Sequence, residues 1–109
     1  MQGINARGDT VGFYDTHGFL LQQGALTTID FPGAFSTEAH GVNPTSDIVG
    51  LYNTPSGLHA FLLHQGIFTA IDVGTGITNT AAFGINPQGN IVGVYTDANS
   101  LFHGFIGVK

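Results

Sequence analysis

The sequence predicts an all-β fold, and three observations support that prediction. Short segments rich in Val, Ile, Phe, Tyr and Thr alternate with Gly, Pro, Asn and Asp, which is the composition of strands and the turns between them. No stretch carries apolar residues at the spacing of an amphipathic helix. One phrase also occurs three times, at residues 3–14, 41–52 and 84–95. An internal repeat of this length is typical of folds built from stacked units.

Each copy of the phrase begins with a turn. An Asn is followed six positions later by a Val-Gly pair, and a Tyr lies three positions beyond that Val. The string Asn-Pro-Gln-Gly-Asn at 86–90 predicts a hairpin turn, because Pro presets φ and Gly permits positive φ. We expect the Asn side chains to bond the turn backbone, and the Gly of Val-Gly to let neighbouring strands approach closely. These Asn residues are Asn5, Asn43 and Asn86.

The rest of the repeat predicts three more strands. A strand begins at His17, His59 and His103, and a Gln-Gly turn then leads to a Thr-rich strand that ends at Asp30 or Asp72. A fourth segment, 36–40 or 78–83, runs directly into the next Gly-x-Asn. Four strands in about 40 residues is the pattern of a β-propeller blade. We therefore predict one domain, 1–109, with repeats 3–40, 41–83 and a partial repeat 84–109.

The repeat resembles the HAF repeat of bacterial extracellular proteins. The similarity rests on Gly-Ile-Asn-x-x-Gly-x-Ile-Val-Gly-x-Tyr, His-Gly-Phe-Leu-Leu and Phe-Thr-x-Ile-Asp, and it is closest at 84–95, 17–21 and 27–33. It covers nearly the whole chain, although Ala60 replaces the Gly after His. The resemblance implies a secreted or cell-surface setting and a propeller-like fold of more repeats than this chain carries. It implies no particular reaction.

The third repeat stops half-way, so we expect four, four and two strands. Closed propellers use roughly four to eight blades, and this chain alone would leave open edges. We therefore expect homo-oligomerisation through a head-to-tail interface. If the Thr-rich strand and the fourth segment form a second hairpin in each repeat, three chains supply six blades with one surplus hairpin each. Two chains supply enough hairpins for five blades, in unequal numbers of the two types. The count favours a trimer and leaves a dimer open.

Composition excludes several partners and sites. Two basic residues against seven acidic ones give a formal charge of −5, which leaves no basic surface for nucleic acid. The chain has no cysteine, so thiolate metal sites and disulfides are excluded. No apolar run approaches the roughly 20 residues of a membrane helix. The residues before Ile4 lack the pattern of a signal peptide, so the extracellular expectation rests on the resemblance alone.

The best candidate for a binding surface lies at the end of the Val-Gly-x-Tyr strand. Aromatic rings beside Asn and Asp, repeated in each unit, could stack on sugars, whereas half-buried Tyr rings would be structural. The variable loops 53–58 and 96–102 adjoin these rings. The candidate ligand-binding residues are therefore Tyr14, Tyr52, Tyr95, Asn53 and Asp97.

Other polar residues at equivalent positions favour structural roles. His17, His59 and His103 could form a metal-binding ring, but one His per unit more simply ties one strand or turn to the next. Asp30 and Asp72 resemble a glycosidase carboxylate pair, yet their equivalence favours turn capping. His40 and His64 have no His counterpart and are expected at the surface. Residues 7–9 spell Arg-Gly-Asp, a cell-adhesion tripeptide, but they occupy the position of the hairpin turn, so we interpret them as a turn.

The sequence carries no nucleophile elbow, no Ser-x-x-Lys, no metalloprotease helix motif and no phosphate loop. We therefore expect a non-enzymatic module that needs no cofactor or metal and binds itself, with a structural or protein-binding role. Two alternatives remain open at this point. One is a multivalent lectin with a weak site in each repeat, and the other is a fragment of a larger secreted hydrolase.

Overall fold

The computed structural model describes residues 3–5, 7–55, 57–71, 79–97, 99 and 101–107, and these residues form β-strands with no helix. The all-β prediction is confirmed. Within the described residues the strands make three antiparallel sheets, each with its strands in a simple consecutive order. Asp72 and the residues after it as far as 78 lie outside the described residues.

The three sheets follow one another along the chain. Sheet 1 contains β1 (Gly3–Ile4), β2 (Thr10–Tyr14), β3 (His17–Gln22) and β4 (Ala25–Ile29). Sheet 2 contains β5 (Ser36–Val42), β6 (Ile48–Thr54), β7 (Gly57–His64) and β8 (Ile67–Ile71). Sheet 3 contains β9 (Asn79–Ile85), β10 (Ile91–Thr96) and β11 (Phe102–Gly107).

The predicted hairpin between the Thr-rich strand and the fourth segment is wrong. β4 and β5 belong to different sheets, and β5 pairs with β6. β5 runs through Gly41 and Val42 directly into the turn at Asn43. Its nearest pairing partner is therefore β6, the strand that leaves this turn. The fourth segment is thus the first strand of the next sheet. The described strands number four, four and three, where four, four and two were expected.

The segment 53–58 is also more regular than predicted. Asn53 pairs with Leu58 and Thr54 with Gly57, so the extra residues of the second repeat lengthen both strands of the β6–β7 hairpin. Asn53 therefore lies in a strand rather than in a loop. Between β10 and β11, by contrast, the described residues 97, 99 and 101 lie outside the strands.

A glycine in β6 or β10 lets the first strand of sheets 2 and 3 lie close to the second. A Cβ on Gly50 would collide with the carbonyl oxygen of Glu38, and a Cβ on Gly93 would collide with that of Ala81. Both collisions fall beside a register shift in the strand pairing. The Val-Gly pair therefore marks a bulge that any larger residue would disrupt.

Sheet 2 lies between sheet 1 and sheet 3. We call the face of sheet 2 that carries Ile48 and Phe61, and the equivalent face of each other sheet, the back face; the opposite face is the front face. The back face of sheet 2 packs on sheet 1, in a buried cluster that also includes Val11 and Ile29. The front face of sheet 2 packs on sheet 3, in a cluster that includes Val49, Ala60 and Ala82. Both interfaces bring the front face of one sheet against the back face of the next.

Two sheet faces consequently have no sheet packed on them within the described residues. Side chains alternate along a strand, so the register assigns each residue to a face. The back face of sheet 1 carries Thr10, Tyr14, Phe19, Leu21 and Leu26. The front face of sheet 3 carries Val92, Val94, Phe102 and Ile106. Phe102 and Ile106 are 80% and 73% exposed.

Candidate functional site

Three Asn turns, one before the second strand of each sheet, form the most highly organised polar feature of the molecule. The Oδ1 atom of Asn43 accepts hydrogen bonds from the backbone N–H groups of Thr45 (3.2 Å) and Asp47 (2.9 Å). Asn5 makes the equivalent bonds to the N–H groups of residues 7 and 9, and Asn86 accepts from the N–H of residue 90. Each Asn side chain thus closes its own turn, as Asx motifs do.

The same side chains join neighbouring turns into a ladder. The Nδ2 atom of Asn5 donates to the carbonyl oxygen of Asn43 at 2.9 Å. Asn43 in turn donates to the carbonyl oxygen of Asn86 at 3.1 Å. Asn43 is 1% exposed, so its bonds are shielded from water. The ladder fixes how each sheet sits on the next, and it runs in one direction along the chain.

A stack of glycines accompanies the ladder. A Cβ on Gly3 would lie 2.6 Å from the carbonyl oxygen of His40 and 3.2 Å from the Cα of Gly41. A Cβ on Gly41 would lie 3.0 Å from the carbonyl oxygen of Phe83 and 3.1 Å from the Cα of Gly84. In the first two copies the first residue of the Gly-x-Asn phrase is therefore glycine because the next copy of the phrase packs directly against it. The sequence alone does not show this contact.

An acidic residue completes the first two turns. The Asn5 amide bonds the Asp9 carboxylate and lowers its pKa, with further help from Gln22, Arg7 and Ser46. Burial works to raise the pKa of Asp47, but hydrogen bonds from His64 and Asn43 outweigh it and the net pKa is lowered. His64 Nδ1 lies 2.5 Å from Asp47 Oδ1, so His64 belongs to the turn, although 45% of its side chain is exposed.

A cleft of about 180 Å³ opens between sheets 2 and 3 beside these turns. Its walls are mainly apolar, and its lining residues include Leu62, Ile67 and Ile85. The equivalent place between sheets 1 and 2 is crossed by a hydrogen bond from Gln22 to Ser46, 3.2 Å long. Ser46 corresponds to Gly89, which has no side chain to reach across, so the second space remains open.

The histidines at equivalent positions each bond a nearby polar group. His17 lies 2.7 Å from Asp30, His59 is 3.1 Å from the Thr54 hydroxyl, and His103 is 2.8 Å from Asp97. Each imidazole also packs beside the Tyr opposite it on the neighbouring strand, with ring centroids 4.9–5.7 Å apart. Among the described residues no three His, Cys, Asp or Glu side chains group to hold a metal ion.

Asp97 shapes the loop between β10 and β11. Its Oδ1 accepts from the N–H groups of Asn99 and Leu101, and its Oδ2 contacts His103. The bonds from His103 and Leu101 lower the pKa of this carboxyl group. Asp97 is thus occupied within its own loop, and Asn53 is held in β6, where its carbonyl oxygen accepts from the N–H of Phe35.

The three candidate Tyr rings differ in their surroundings. Tyr52 is 7% exposed, with Phe31 stacked on its ring at 3.7 Å and His59 at 5.2 Å. That packing is the opposite of an open platform for a sugar. Tyr14 is 42% exposed, and Tyr95 is half-buried beside His103. Tyr14 is open because it lies on the back face of sheet 1, where no described residue takes the place that Phe31 has on Tyr52.

Packing overturns one predicted surface position, that of His40, and the tripeptide at 7–9 forms a turn as expected. His40 is mostly buried, with 11% of its side chain exposed, between the rings of Phe13 and Phe83 and beside Glu38. The expectation of a surface position for His40 is therefore wrong. In the tripeptide at 7–9, Asp9 is 2% exposed, so its carboxylate serves the turn.

Comparison with known proteins yields no match: no family model, no curated protein and no solved structure corresponds to the chain. Across the residues that the structure describes, no helix is long and apolar enough to cross a membrane.

Proposed function

We propose that this protein is a non-enzymatic repeat module that associates with a second copy of itself to complete a propeller-type ring. The observation that carries the proposal is the difference between the middle sheet and the outer two. Val49 on the front face of sheet 2 is fully buried, whereas Val92 at the equivalent position of sheet 3 is 48% exposed. Both positions carry the same apolar residue, but among the described strands another sheet covers only Val49.

The two open faces match the two faces that already meet inside the chain. Inside the chain, the front of one sheet packs on the back of the next. The open front of sheet 3 and the open back of sheet 1 are again one front face and one back face, so they could pack as the faces inside the chain do. The residues that define these two faces are uncharged. Exposed apolar faces of this kind favour association, and two different faces require a head-to-tail arrangement.

The sheet count favours two chains. Three described sheets per chain give six in a dimer, within the roughly four to eight blades of closed propellers. Three chains would supply nine. The trimer expected from hairpin counting depends on a hairpin between β4 and β5, which the sheet order of the described strands does not contain. We therefore propose a two-chain ring, with its two contacts related by a two-fold axis.

The setting and role rest on sequence. The resemblance to HAF repeats supports a bacterial extracellular or cell-surface location, where a closed ring would serve as a structural or protein-binding unit. The Asn turns and the Tyr–His pairs are engaged in intramolecular bonds, which supports a scaffold role for them.

Sedimentation equilibrium on the full chain tests the proposal. We expect a mass close to twice 11.4 kDa, and a variant with Ile106→Ser and Phe102→Ser should shift towards monomer. Both side chains are highly exposed in the single chain, so their loss should leave its fold intact. A wild-type chain that stays monomeric at millimolar concentration would overturn the proposed association.

A further inference from the structure

We infer that Gly84 and Asn86 are docking residues, and that they receive the turn at Gly3–Asn5 of a second copy of this chain. The inference rests on the proposed self-association and adds the atoms that set its register. It extends the ladder and the glycine stack from within the chain to the contact between chains.

The first observation is a glycine at which a Cβ would not, among the described residues, meet the backbone of another repeat. Gly3 and Gly41 are each pressed against the backbone of the following repeat. Among the described residues, a Cβ on Gly84 would meet a side-chain methyl of Val92, at 3.1 Å, and no backbone atom. Gly84 also does not have positive φ, so its conformation does not require glycine. The space beside Gly84 corresponds to the space that Gly41 and Gly84 fill in the two preceding steps.

The second observation is the end of the ladder. Asn5 and Asn43 each donate Nδ2 to the carbonyl oxygen of the next Asn turn. Within the described residues, Asn86 makes the turn-closing bond through Oδ1, and its side chain is exposed. At the other end, the carbonyl oxygen of Asn5 accepts from Gly8 within its turn. The corresponding oxygens of Asn43 and Asn86 accept both this turn bond and a bond from the preceding Asn.

Both observations point in the same direction along the chain. Each glycine faces the following repeat, and each Asn donates to the following repeat. A second copy of this chain offers such a turn at Gly3–Asn5, whose Asn5 carbonyl oxygen accepts only the turn bond from Gly8 among the described residues. The structure therefore points to an intermolecular bond from Asn86 Nδ2 to the Asn5 carbonyl oxygen, with Gly84 against Gly3. This register would bring the front face of sheet 3 onto the back face of sheet 1.

The test compares glycine variants at equivalent positions by sedimentation equilibrium and urea denaturation of the full chain. Gly84→Ala should weaken dimerisation about tenfold or more, because its methyl group would enter the backbone of the second copy. It should leave the urea midpoint of dilute, monomeric protein nearly unchanged, because the Val92 side chain that its methyl group would touch is 48% exposed and can move. Gly41→Ala should lower that midpoint, since the same clash occurs inside the chain. Asn86→Ala should weaken dimerisation about fivefold.

Gly107→Ala is the matched control. Its Cβ would lie 3.8 Å or more from its neighbours, on the face of sheet 3 that packs on sheet 2, so association should not change. A monomeric wild type would overturn the association itself. A dimeric wild type whose affinity is unaffected by both Gly84→Ala and Asn86→Ala would overturn this inference and leave the association standing.

Discussion

Sheet 2 and sheet 3 are built from nearly the same sequence but are packed differently. Ile48-Val49-Gly50 in β6 repeats as Ile91-Val92-Gly93 in β10, yet Val49 is fully buried and Val92 is 48% exposed. The difference lies in the cover on each front face: β9 packs over β6 and β7, whereas no described strand packs over β10 and β11. Burial in this protein is therefore a property of the stack, as in other repeat architectures.

Sheet 1 shows the same effect from the other side. Phe61 on the back face of sheet 2 is fully buried against sheet 1, while its counterpart Phe19 is only partly covered. Tyr52 and Tyr14 differ in the same way, because Phe31 covers Tyr52 alone. The middle repeat thus shows the packing that each outer repeat lacks on one face, and substitutions at equivalent positions should reveal the difference.

The largest effect should come from the buried ring of the middle sheet. Phe61→Ala should lower the free energy of unfolding by about 3–5 kcal/mol, since it removes a fully buried ring from a packed cluster. Phe19→Ala should cost roughly 1–2 kcal/mol in dilute protein, because that ring is already in partial contact with water. Urea denaturation followed by circular dichroism measures both values. Equal losses would show that sheet 1 and sheet 2 do not differ in packing.

Substitutions in the Asn turns should also cost more stability in the middle sheet than in an outer sheet. Asn43→Ala should cost about 2–3 kcal/mol, because it leaves buried N–H groups of its turn without partners and removes one of the two hydrogen bonds to the carbonyl oxygen of Asn86. Asn86→Ala should cost less than about 1 kcal/mol in dilute protein, since its turn is exposed and water can replace the lost bond. Urea denaturation of the two variants under identical conditions checks the ranking, and a larger loss for Asn86→Ala would contradict it.

The smallest effect should be a dependence of the free energy of unfolding on pH, which comes from the first two Asn turns and not from the third. The pKa values of Asp9 and Asp47 are lowered below the ordinary 3.8, while the third turn has Asn90 in their place. The unfolded chain therefore binds protons at a higher pH than the folded chain does. The contribution of these carboxylates to the free energy of unfolding should be fully present above about pH 5 and should be lost as the pH drops through 3.8 and below.

Urea denaturation at pH 7, 5 and 3 measures this dependence. The loss of stability between pH 5 and pH 3 should be smaller for Asp47→Asn than for the wild type. Asp15→Asn, in the exposed turn between β2 and β3, is the matched control and should leave the loss as it is in the wild type. A wild-type chain that is as stable at pH 3 as at pH 5 would contradict the role given to these carboxylates.

Local chemistry was predictable from the sequence where a residue acts on its own turn. Asn, Pro and Gly at 86–90 favour a hairpin turn for reasons of backbone geometry, and the strand segments follow from their composition. The pairing of β5 was not predictable in the same way. Residues 36–42 look equally suited to pair with the strand before or after them, and only the Asn43 turn at their end makes the later strand the nearer partner.

Contacts between repeats could not be predicted from a repeat considered alone. Nothing in one Gly-x-Asn phrase shows that its glycine packs on the next copy, or that its amide reaches the next carbonyl group. Tyr52 likewise looks like a binding residue until Phe31 is placed on its ring. His40 was expected at the surface because no other repeat has His there, whereas stacking encloses it between two Phe rings.

An isotope-filtered NOE experiment on a mixed sample, half ¹³C-labelled and half unlabelled, tests the central claim most directly. It detects only contacts between different chains. We predict NOEs from the methyl groups of Val92 and Ile106 in one chain to the rings of Tyr14 and Phe19 in the other, because front and back faces would then meet as they do inside the chain. Intermolecular NOEs between two copies of the front face, or none at a concentration where the mass is that of a dimer, would contradict head-to-tail completion of the stack.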